Sequence, residues 1–440
     1  MWRYHPELLA TPVPRYTSFP TAAEFDDDVG ARDMLAALDT IEQDQDVSLY
    51  LHVPFCREIC WYCGCNTGAA NRTGRLKAYI DRLGDEIDLV ARRLDGRGRI
   101  RRIAWGGGSP NAIAPADFDA LMLRLQQAFG CEDPVVSVEI DPRGFDWDWA
   151  AALARNHVSR VSLGVQTFEP SIQQAIGRVQ PAGKIACVVG QLRAAGVGSI
   201  NFDLMYGLPG QSERHLAETL DTALAMAPDR LAVFGYAHVP HLLPRQRRID
   251  ASALPDARAR FDQAALAYRR LVGAGFEAVG FDHFARADDA IAVAARAGRL
   301  RRNFQGFTED GSDALIGLGA SAITALPEWL LQNEKNTGRY HLRIGSGMPA
   351  TARGLRRSSA DGRIGDAIEQ VLCQGSADLI GLPGLEGILQ RLAPFEQHGL
   401  LQWQGARIVL EPGALPYARA VAATLDPYRS HSGTRLSAAI

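Results

Sequence analysis

Four of the seven cysteines fall within ten residues, in the string Cys56-Arg-Glu-Ile-Cys60-Trp-Tyr-Cys63-Gly-Cys65. Thiolates bind metals and attack electrophiles, so a cluster of this kind is a first place to look for chemistry. Cys131, Cys187 and Cys373 are scattered, as buried structural thiols are. The total is odd, and no apolar leader follows Met1-Trp2-Arg3-Tyr4-His5. Both features speak against a disulfide framework.

Three chemistries compete for the cluster. Structural zinc takes four ligands, usually as two separated pairs, and no second pair matches this one. A redox pair would use Cys60-Trp-Tyr-Cys63, which has the C-x-x-C form but leaves Cys56 without a role. The third is a [4Fe–4S] cluster on three thiolates, which leaves one iron open. An open iron can chelate the amine and carboxylate of S-adenosylmethionine (SAM). One electron from a low-potential cluster can then cleave the sulfonium's bond to C5′.

The cysteines need a platform. Val47-Ser-Leu-Tyr-Leu-His-Val53 reads as a strand stopped by Pro54, so the thiols sit on a loop past a strand's C-terminal end. Active sites of α/β folds are built there. Leu76, Ile80, Leu83, Ile87, Val90 and Leu94 then make one apolar helical face. Strands follow at 102–105, 135–140, 159–163, 199–205 and 231–236, with helical sequence after the first, third and fourth of them. Pro115 opens one of these helices and Ser212 caps another. About six βα units predict an α/β fold with a parallel sheet, a partial (β/α)6 barrel with an open side. Residues 1–45 form an N-terminal extension, 46–345 the barrel with its extension, and 346–440 a mostly helical, winged-helix-like C-terminal domain. In that last part 364–380 reads as helix, and 400–403 with 408–410 as a strand pair about Gly405.

Polar and small residues recur at the strand ends. Gly106-Gly107-Gly108 lacks the Lys-Ser/Thr of a phosphate-binding loop, so it is either a tight turn or a backbone laid against a ligand. Glu139, Gln166 and Asp203 end successive strands and ring one opening. Glu139 and Asp203 can accept hydrogen bonds from ribose hydroxyls, and Arg178 can pair with a carboxylate.

Composition sets the outer bounds. The chain has 440 residues, 47% of them apolar and 22% charged, which is ordinary globular composition. The net charge of −3 excludes a surface built throughout for nucleic acid. Of 47 cationic residues only Lys77, Lys184 and Lys335 are lysine. The arginine excess fits an acidic ligand, or simply biased codon usage. The uncharged apolar run at 314–326 is too short to span a bilayer. A cytoplasmic protein without a membrane partner is expected.

The C-x3-C-x2-C spacing, with Tyr62 before the third thiol, resembles the radical SAM superfamily. Leu49-Tyr-Leu-His-Val-Pro-Phe-Cys56 and Trp105-Gly-Gly-Gly-Ser-Pro110 resemble the oxygen-independent coproporphyrinogen III oxidases more closely. So do Glu139-Ile-Asp-Pro-Arg143, Gly164-Val-Gln166, Asp203-Leu-Met-Tyr-Gly-Leu-Pro209 and Tyr236-Ala-His238. Pro14-Arg15-Tyr16-Thr-Ser18, Asp282-His-Phe-Ala-Arg286, Arg302-Asn-Phe-Gln305 and Ser321-Ala-Ile323 extend the likeness past residue 330.

The resemblance implies that Cys56, Cys60 and Cys63 ligate the cluster and that Cys65 is a non-ligand thiol. It implies two SAM molecules. Tyr50, Gly107, Glu139 and Ile323 would contact the one on the cluster. Tyr62, Gly108, Ser109, Gln166, Arg178, Asp203 and Ala237 would contact the second. Ser109 stands where threonine is common, and Gly144 where an acidic residue is more usual. The implied activity converts two propionates of coproporphyrinogen III to vinyl groups, giving protoporphyrinogen IX in haem biosynthesis. Arg15 and Tyr16 are candidates for a segment closing over the substrate. The implied electron donor is of flavodoxin or ferredoxin type, its identity open, and a monomer is expected. The rival from another class is a related haem-binding chaperone without oxidase activity. Such relatives usually lack both the extended N-terminus and the fourth cysteine, and this chain has both.

Overall fold

The computed structural model describes residues 2–70 and 73–430. Six strands alternate with helices: β1 Asp46–Val53, α1 Thr73–Leu94, β2 Arg99–Gly107, α2 Pro115–Phe129, β3 Val135–Ile140, α3 Trp147–Arg155, β4 Val158–Gln166, α4 Ala182–Ala194, β5 Ser199–Tyr206, α5 Glu213–Ala225, β6 Arg230–Gly235 and α6 Ala257–Gly273. All six strands pair in parallel, in chain order. β1 is buried along all but its first residue, because such a strand is covered on both faces. Ile80, Leu83, Ile87, Val90 and Leu94 bury the apolar face of α1. Ser212 caps α5 by accepting from the His215 amide. The expected partial barrel is therefore what the chain forms.

The sheet extends beyond six strands. β7 Glu277–Val279 and β8 His283–Ala285 continue it antiparallel from β6. On the other side β9 Ala314–Leu318 lies parallel to β1, and β10 Ile323–Leu326, β11 Trp329–Asn333 and β12 Thr351–Arg356 follow antiparallel. The twelve strands run β12-β11-β10-β9-β1-β2-β3-β4-β5-β6-β8-β7. The main sheet thus runs past residue 345.

Beyond it, helix Ser359–Gln374, strand Ser376–Asp378, helix Leu385–Gln397 and hairpin Leu401–Gln404/Arg407–Leu410 make a three-stranded unit. The reading of 364–380 as one helix is corrected. Gly375 adopts φ 66 and ends the helix, its N–H returning to Val371 O, and the chain then enters a strand. The N-terminal residues Leu9, Val13, Tyr16 and Phe19 share a core with this unit and with Phe261, Val279 and Ala285 at the edge of the main sheet. Among the described residues no helix is long and apolar enough to cross a membrane.

The N-terminal ends of the strands are closed by a charged floor. Arg102 of β2 and Arg160 of β4 both donate to Glu309, Arg102 at 2.6 Å. Arg230 of β6 sits 3.7 Å from the same carboxylate and 2.7 Å from Asp289. Ser48 of β1 donates to Asp310 at 2.5 Å. Charge at this end of a barrel serves the fold, and the chemistry lies at the other end.

Candidate active site

The cysteine loop leaves β1 at Pro54 and is fastened at several points. Phe55–Cys56 pairs with Gly68–Ala69. The Gly108 and Ser109 amides donate to Val53 O and Phe55 O, each at 2.8 Å. The Trp61 amide donates to Ile176 O at 3.0 Å. Gly177, at φ 65, leaves room for the Trp61 indole, which a Cβ there would meet at 2.7 Å. The loop is therefore held by the turn that launches Arg178.

The four thiols differ in their surroundings. Cys60 Sγ accepts from Arg178 Nη1 at 3.2 Å and Arg143 Nη2 at 3.3 Å. Cys56 Sγ accepts from Thr67 Oγ1 at 3.2 Å. Cys63 Sγ accepts from the Cys65 amide at 3.4 Å. Hydrogen bonding from Cys65 lowers the Cys63 thiol to about 6, while donating to Cys63 pushes the Cys65 thiol up. Burial pushes the Cys56 thiol up to about 11 in the absence of a metal. Cys56, Cys60 and Cys63 thus each have a sulfur that accepts a hydrogen bond, whereas Cys65 contributes its main-chain amide and is the exposed one.

The thiols line a cavity of about 180 Å³ with Tyr62, Gly107, Gly108, Ser109, Glu139, Gln166, Arg178 and Asp203. Twelve of the residues singled out from the sequence therefore meet in one place. The glycine run serves both of its readings. It lines the cavity, and its other side has no room for side chains. A Cβ on Gly107, at φ 112, would meet the His52 ring at 2.7 Å, and one on Gly108 would meet Phe55 O at 2.6 Å. The Ser109 hydroxyl is buried and turned to Asn111, whose amide holds Asp141 O at 2.9 Å.

Gly107 N donates to Glu139 Oε2 at 3.2 Å. Burial and the nearby Asp203 raise the Glu139 carboxyl to about 7. Asp203 accepts from Ser162 Oγ and Asn201 Nδ2, both at 2.8 Å, and burial raises its carboxyl too. Gln166, at φ 68, turns β4 into the cavity. Arg178 is buried, with Nε on Gly164 O at 3.1 Å and Nη2 3.4 Å from Asp141.

Five singled-out residues lie outside this cavity. Tyr50 is buried on the adjoining strand, stacked on Phe304 at 4.6 Å, its hydroxyl at His52 Nδ1. Ile323 opens β10 and faces a second cavity of about 360 Å³, which Tyr16 also lines. Tyr16 is buried and donates to Asp426 at 3.0 Å, which ties the N-terminal segment to the C-terminal unit. Arg15 and Ala237 line a third cavity. Gln246 Nε2 joins Ala237 O at 3.1 Å to Tyr62 O at 2.9 Å, so Ala237 is coupled to the cysteine loop. A further cavity of about 330 Å³ fills the barrel between site and floor, and Glu139, Ser162 and Asp203 wall both it and the thiol cavity.

This donor set fits an iron–sulfur cluster better than zinc. Three sulfurs accept hydrogen bonds in a partly cationic cavity, while the fourth cysteine is the exposed one and meets Cys63 through its main-chain amide, so the donors serve three thiolates. Comparison with known proteins agrees. Residues 50–223 match the model of the radical SAM superfamily. An oxygen-independent coproporphyrinogen III oxidase of Bradyrhizobium diazoefficiens is 43% identical over 425 residues, covering 94% of each chain. The chain belongs to the oxygen-independent coproporphyrinogen III oxidases. The oxidase of Paracoccus denitrificans is 38% identical over 433 residues, covering 96% of this chain and 95% of its own. The coproporphyrinogen III oxidase of Escherichia coli, a radical SAM enzyme, superposes with a TM-score of 0.90 at 34% identity over 97% of this chain and 99% of that one.

In this member of the oxygen-independent coproporphyrinogen III oxidases, sequence reasoning passed over Arg143, Asp141 and Thr67 as parts of the site. Arg143 Nη2 bonds Asp141 at 2.6 Å as well as Cys60, and Nη1 reaches Glu58 at 2.9 Å. The signal was present in Asp141-Pro142-Arg143, a charged pair about a proline directly after β3. Thr67 carries no such signal, because its partner lies across the loop.

Proposed function

We propose that this chain decarboxylates two propionates of coproporphyrinogen III oxidatively, without oxygen, giving protoporphyrinogen IX for haem synthesis. Cys56, Cys60 and Cys63 would hold a [4Fe–4S] cluster, and two SAM molecules would bind in and beside the thiol cavity. When bound, these groups would supply the one-electron chemistry that removes a hydrogen atom from the propionate β-carbon, so that CO2 could leave with one electron passing to an external acceptor.

The chain's own residues hold and shield. Arg178 and Arg143 both donate to Cys60 Sγ and set two guanidinium groups against it. Glu139 and Asp203, fixed from behind by Gly107 N, Ser162 and Asn201, present acceptor oxygens for ribose hydroxyls. Tyr50 and Ile323 back the cluster-side SAM, and Tyr62, Gln166 and Ala237 the second. Residues 2–45 act as a strap, with Tyr16 anchored on Asp426 and Arg15 Nη2 on Gly235 O at 3.4 Å, and residues 346–430 support it. A closed barrel excludes water and stray reductant from a radical. The site draws on one chain, so a monomer suffices. The low-potential electrons, from a flavodoxin- or ferredoxin-like donor, place the enzyme in the cytoplasm.

The observation that carries this reading is the set of three cysteine sulfurs that each accept a hydrogen bond in a cavity at the strands' C-terminal ends. The test is anaerobic reconstitution followed by incubation with coproporphyrinogen III, SAM and a reductant. CO2 and protoporphyrinogen are expected together with 5′-deoxyadenosine. Tight haem binding without turnover would replace the oxidase by a haem chaperone.

A further inference from the structure

Two histidines and a glutamate from opposite ends of the chain meet outside the thiol cavity. Glu7 Oε1 lies 3.7 Å from His5 Nδ1 and 3.1 Å from His398 Nε2, so one carboxylate oxygen stands between two imidazoles. The ring centroids are 4.3 Å apart and the rings are tilted by 50°. One donor atom from each of the three residues falls within 4.8 Å of the other two. None of the three lines the thiol cavity.

The main chain sets this group in place. The His5 amide donates to Tyr417 Oη at 2.9 Å, and that hydroxyl donates to Arg3 O at 2.6 Å. Tyr417 is buried, so both bonds are tied to the core of the C-terminal unit. Pro6 opens the short helix Pro6–Leu9, Leu9 is buried in the same core, and Glu7 is left exposed between them. His398 ends helix Leu385–Gln397, its amide bonded to Pro394 O at 3.2 Å. A simple ion pair between Glu7 and His398 would need one imidazole, and the fold brings two to the same oxygen.

We propose that His5, Glu7 and His398 bind a divalent transition metal of the zinc type, which clips the start of the N-terminal strap to the C-terminal unit. Two imidazoles and a carboxylate suit zinc and its neighbours, whereas magnesium and calcium take oxygen donors. Donors about 2.0–2.1 Å from one tetrahedral ion stand about 3.3 Å from one another, and the two separations at Glu7 Oε1 fall on either side of that value. Three protein ligands leave a fourth position, and the Glu7 side chain, 53% exposed, opens it to water. The strap already has two anchors on the same unit, Arg429 Nη2 on Pro12 O at 3.2 Å and Tyr16 on Asp426 at 3.0 Å. An ion at His5 extends that fastening to the beginning of the strap. The thiols take no part, so the site stands or falls independently of the function proposed above.

The test uses the full-length, untagged, cluster-loaded enzyme, whose ligand thiols are already occupied, and zinc alone as the probe. Zinc is counted by mass spectrometry after equilibrium dialysis against a micromolar zinc solution. Wild type is expected to hold one zinc more than Glu7→Gln, His5→Ala or His398→Ala, each of which should weaken binding by about 100-fold or more. His241→Ala, at an exposed histidine outside the group, should bind as wild type does. Limited proteolysis supplies the second readout. Zinc should slow cleavage within residues 2–15 of wild type several-fold and leave the rate in Glu7→Gln unchanged. Equal zinc content in wild type and Glu7→Gln overturns the site, and so does displacement of the zinc by an excess of magnesium. Zinc held through these residues without slower cleavage overturns the clip. If a histidine variant does not fold, Glu7→Gln, at an exposed side chain, decides.

Discussion

Glu309 is the pivot of the barrel floor, and Glu309→Gln should destabilise the fold by about 3 kcal/mol at neutral pH. Burial alone would raise its carboxyl, but Arg160, Arg102 and Arg230 outweigh burial and hold it down at about 2, against an ordinary 4.5. That difference corresponds to roughly 3 kcal/mol of stability when the group is ionised. Its side chain is only 9% exposed, so solvent screens the interaction little. The amide preserves shape yet leaves three guanidiniums facing one another, and breaking such a pair by removing one member costs about 3–5 kcal/mol.

The sign of the pH dependence follows. A carboxyl lowered in the folded state contributes in full above its unfolded value of 4.5, and the contribution is lost as pH falls through about 2. Denaturant unfolding of wild type and Glu309→Gln, followed by tryptophan fluorescence, should show a large gap in midpoint at pH 7. The gap should narrow steadily between pH 4.5 and 2. A variant within about 0.5 kcal/mol of wild type at pH 7, the scale of an ordinary surface change, would refute the reasoning. So would a gap that stays constant across the acid range.

Other outcomes follow from the site and the sheet. Cys60→Ser should abolish SAM cleavage and strip iron from the reconstituted protein, whereas Cys65→Ser should retain a cluster by iron count and electron paramagnetic resonance. Equal iron loss in both would contradict the three-ligand assignment. Asp203→Asn keeps its bonds to Ser162 and Asn201 only in part and should raise KM for SAM about tenfold, read in a 5′-deoxyadenosine assay. Gly317→Ala places a Cβ 2.4 Å from Ile323 O, where neither β9 nor β10 can give way, and should lower the unfolding free energy from denaturant titration by about 1–3 kcal/mol or more.

Much of the barrel was written in local patterns. The strand expected at 135–140 is β3 residue for residue, and Ser212 caps the helix it was expected to cap. The cysteine spacing drew attention to the site, and the polar strand ends at Glu139, Gln166 and Asp203 supplied its rim. What escaped lacked a local signature. Helix α3 passed unnoticed because Asp146-Trp-Asp-Trp-Ala-Ala-Ala152 shows no long apolar stripe, and its N-cap, Asp146 accepting from the Trp149 amide, was the one clue. β9 reads as an apolar run and becomes a strand through its long-range pairing with β1. Glu309 and its arginines are spread over about 200 residues of chain, and only the assembled sheet brings them together.

The arginines acquire a direction once the three layers are compared. At the floor Arg102, Arg160 and Arg230 are met by Glu309, Asp289 and Asp310, and the charge is matched. At the thiols Arg178 and Arg143 share Asp141 and turn to a sulfur. Beyond β6 Arg15 and Arg260 donate to the main-chain carbonyls of Gly235 and Tyr236. Positive charge neutralised by carboxylates at the structural end of the barrel thus gives way, toward its mouth, to charge set against sulfur and main chain. A cleft with low-dielectric walls focuses such a field and draws anions inward. Lysine would serve poorly here, because an ammonium sheds its proton when buried and a guanidinium does not. The scarcity of lysine in the chain thus accords with the site it builds: charge that must survive burial, neutralised by carboxylates where it holds the fold and set against sulfur and main chain toward the mouth.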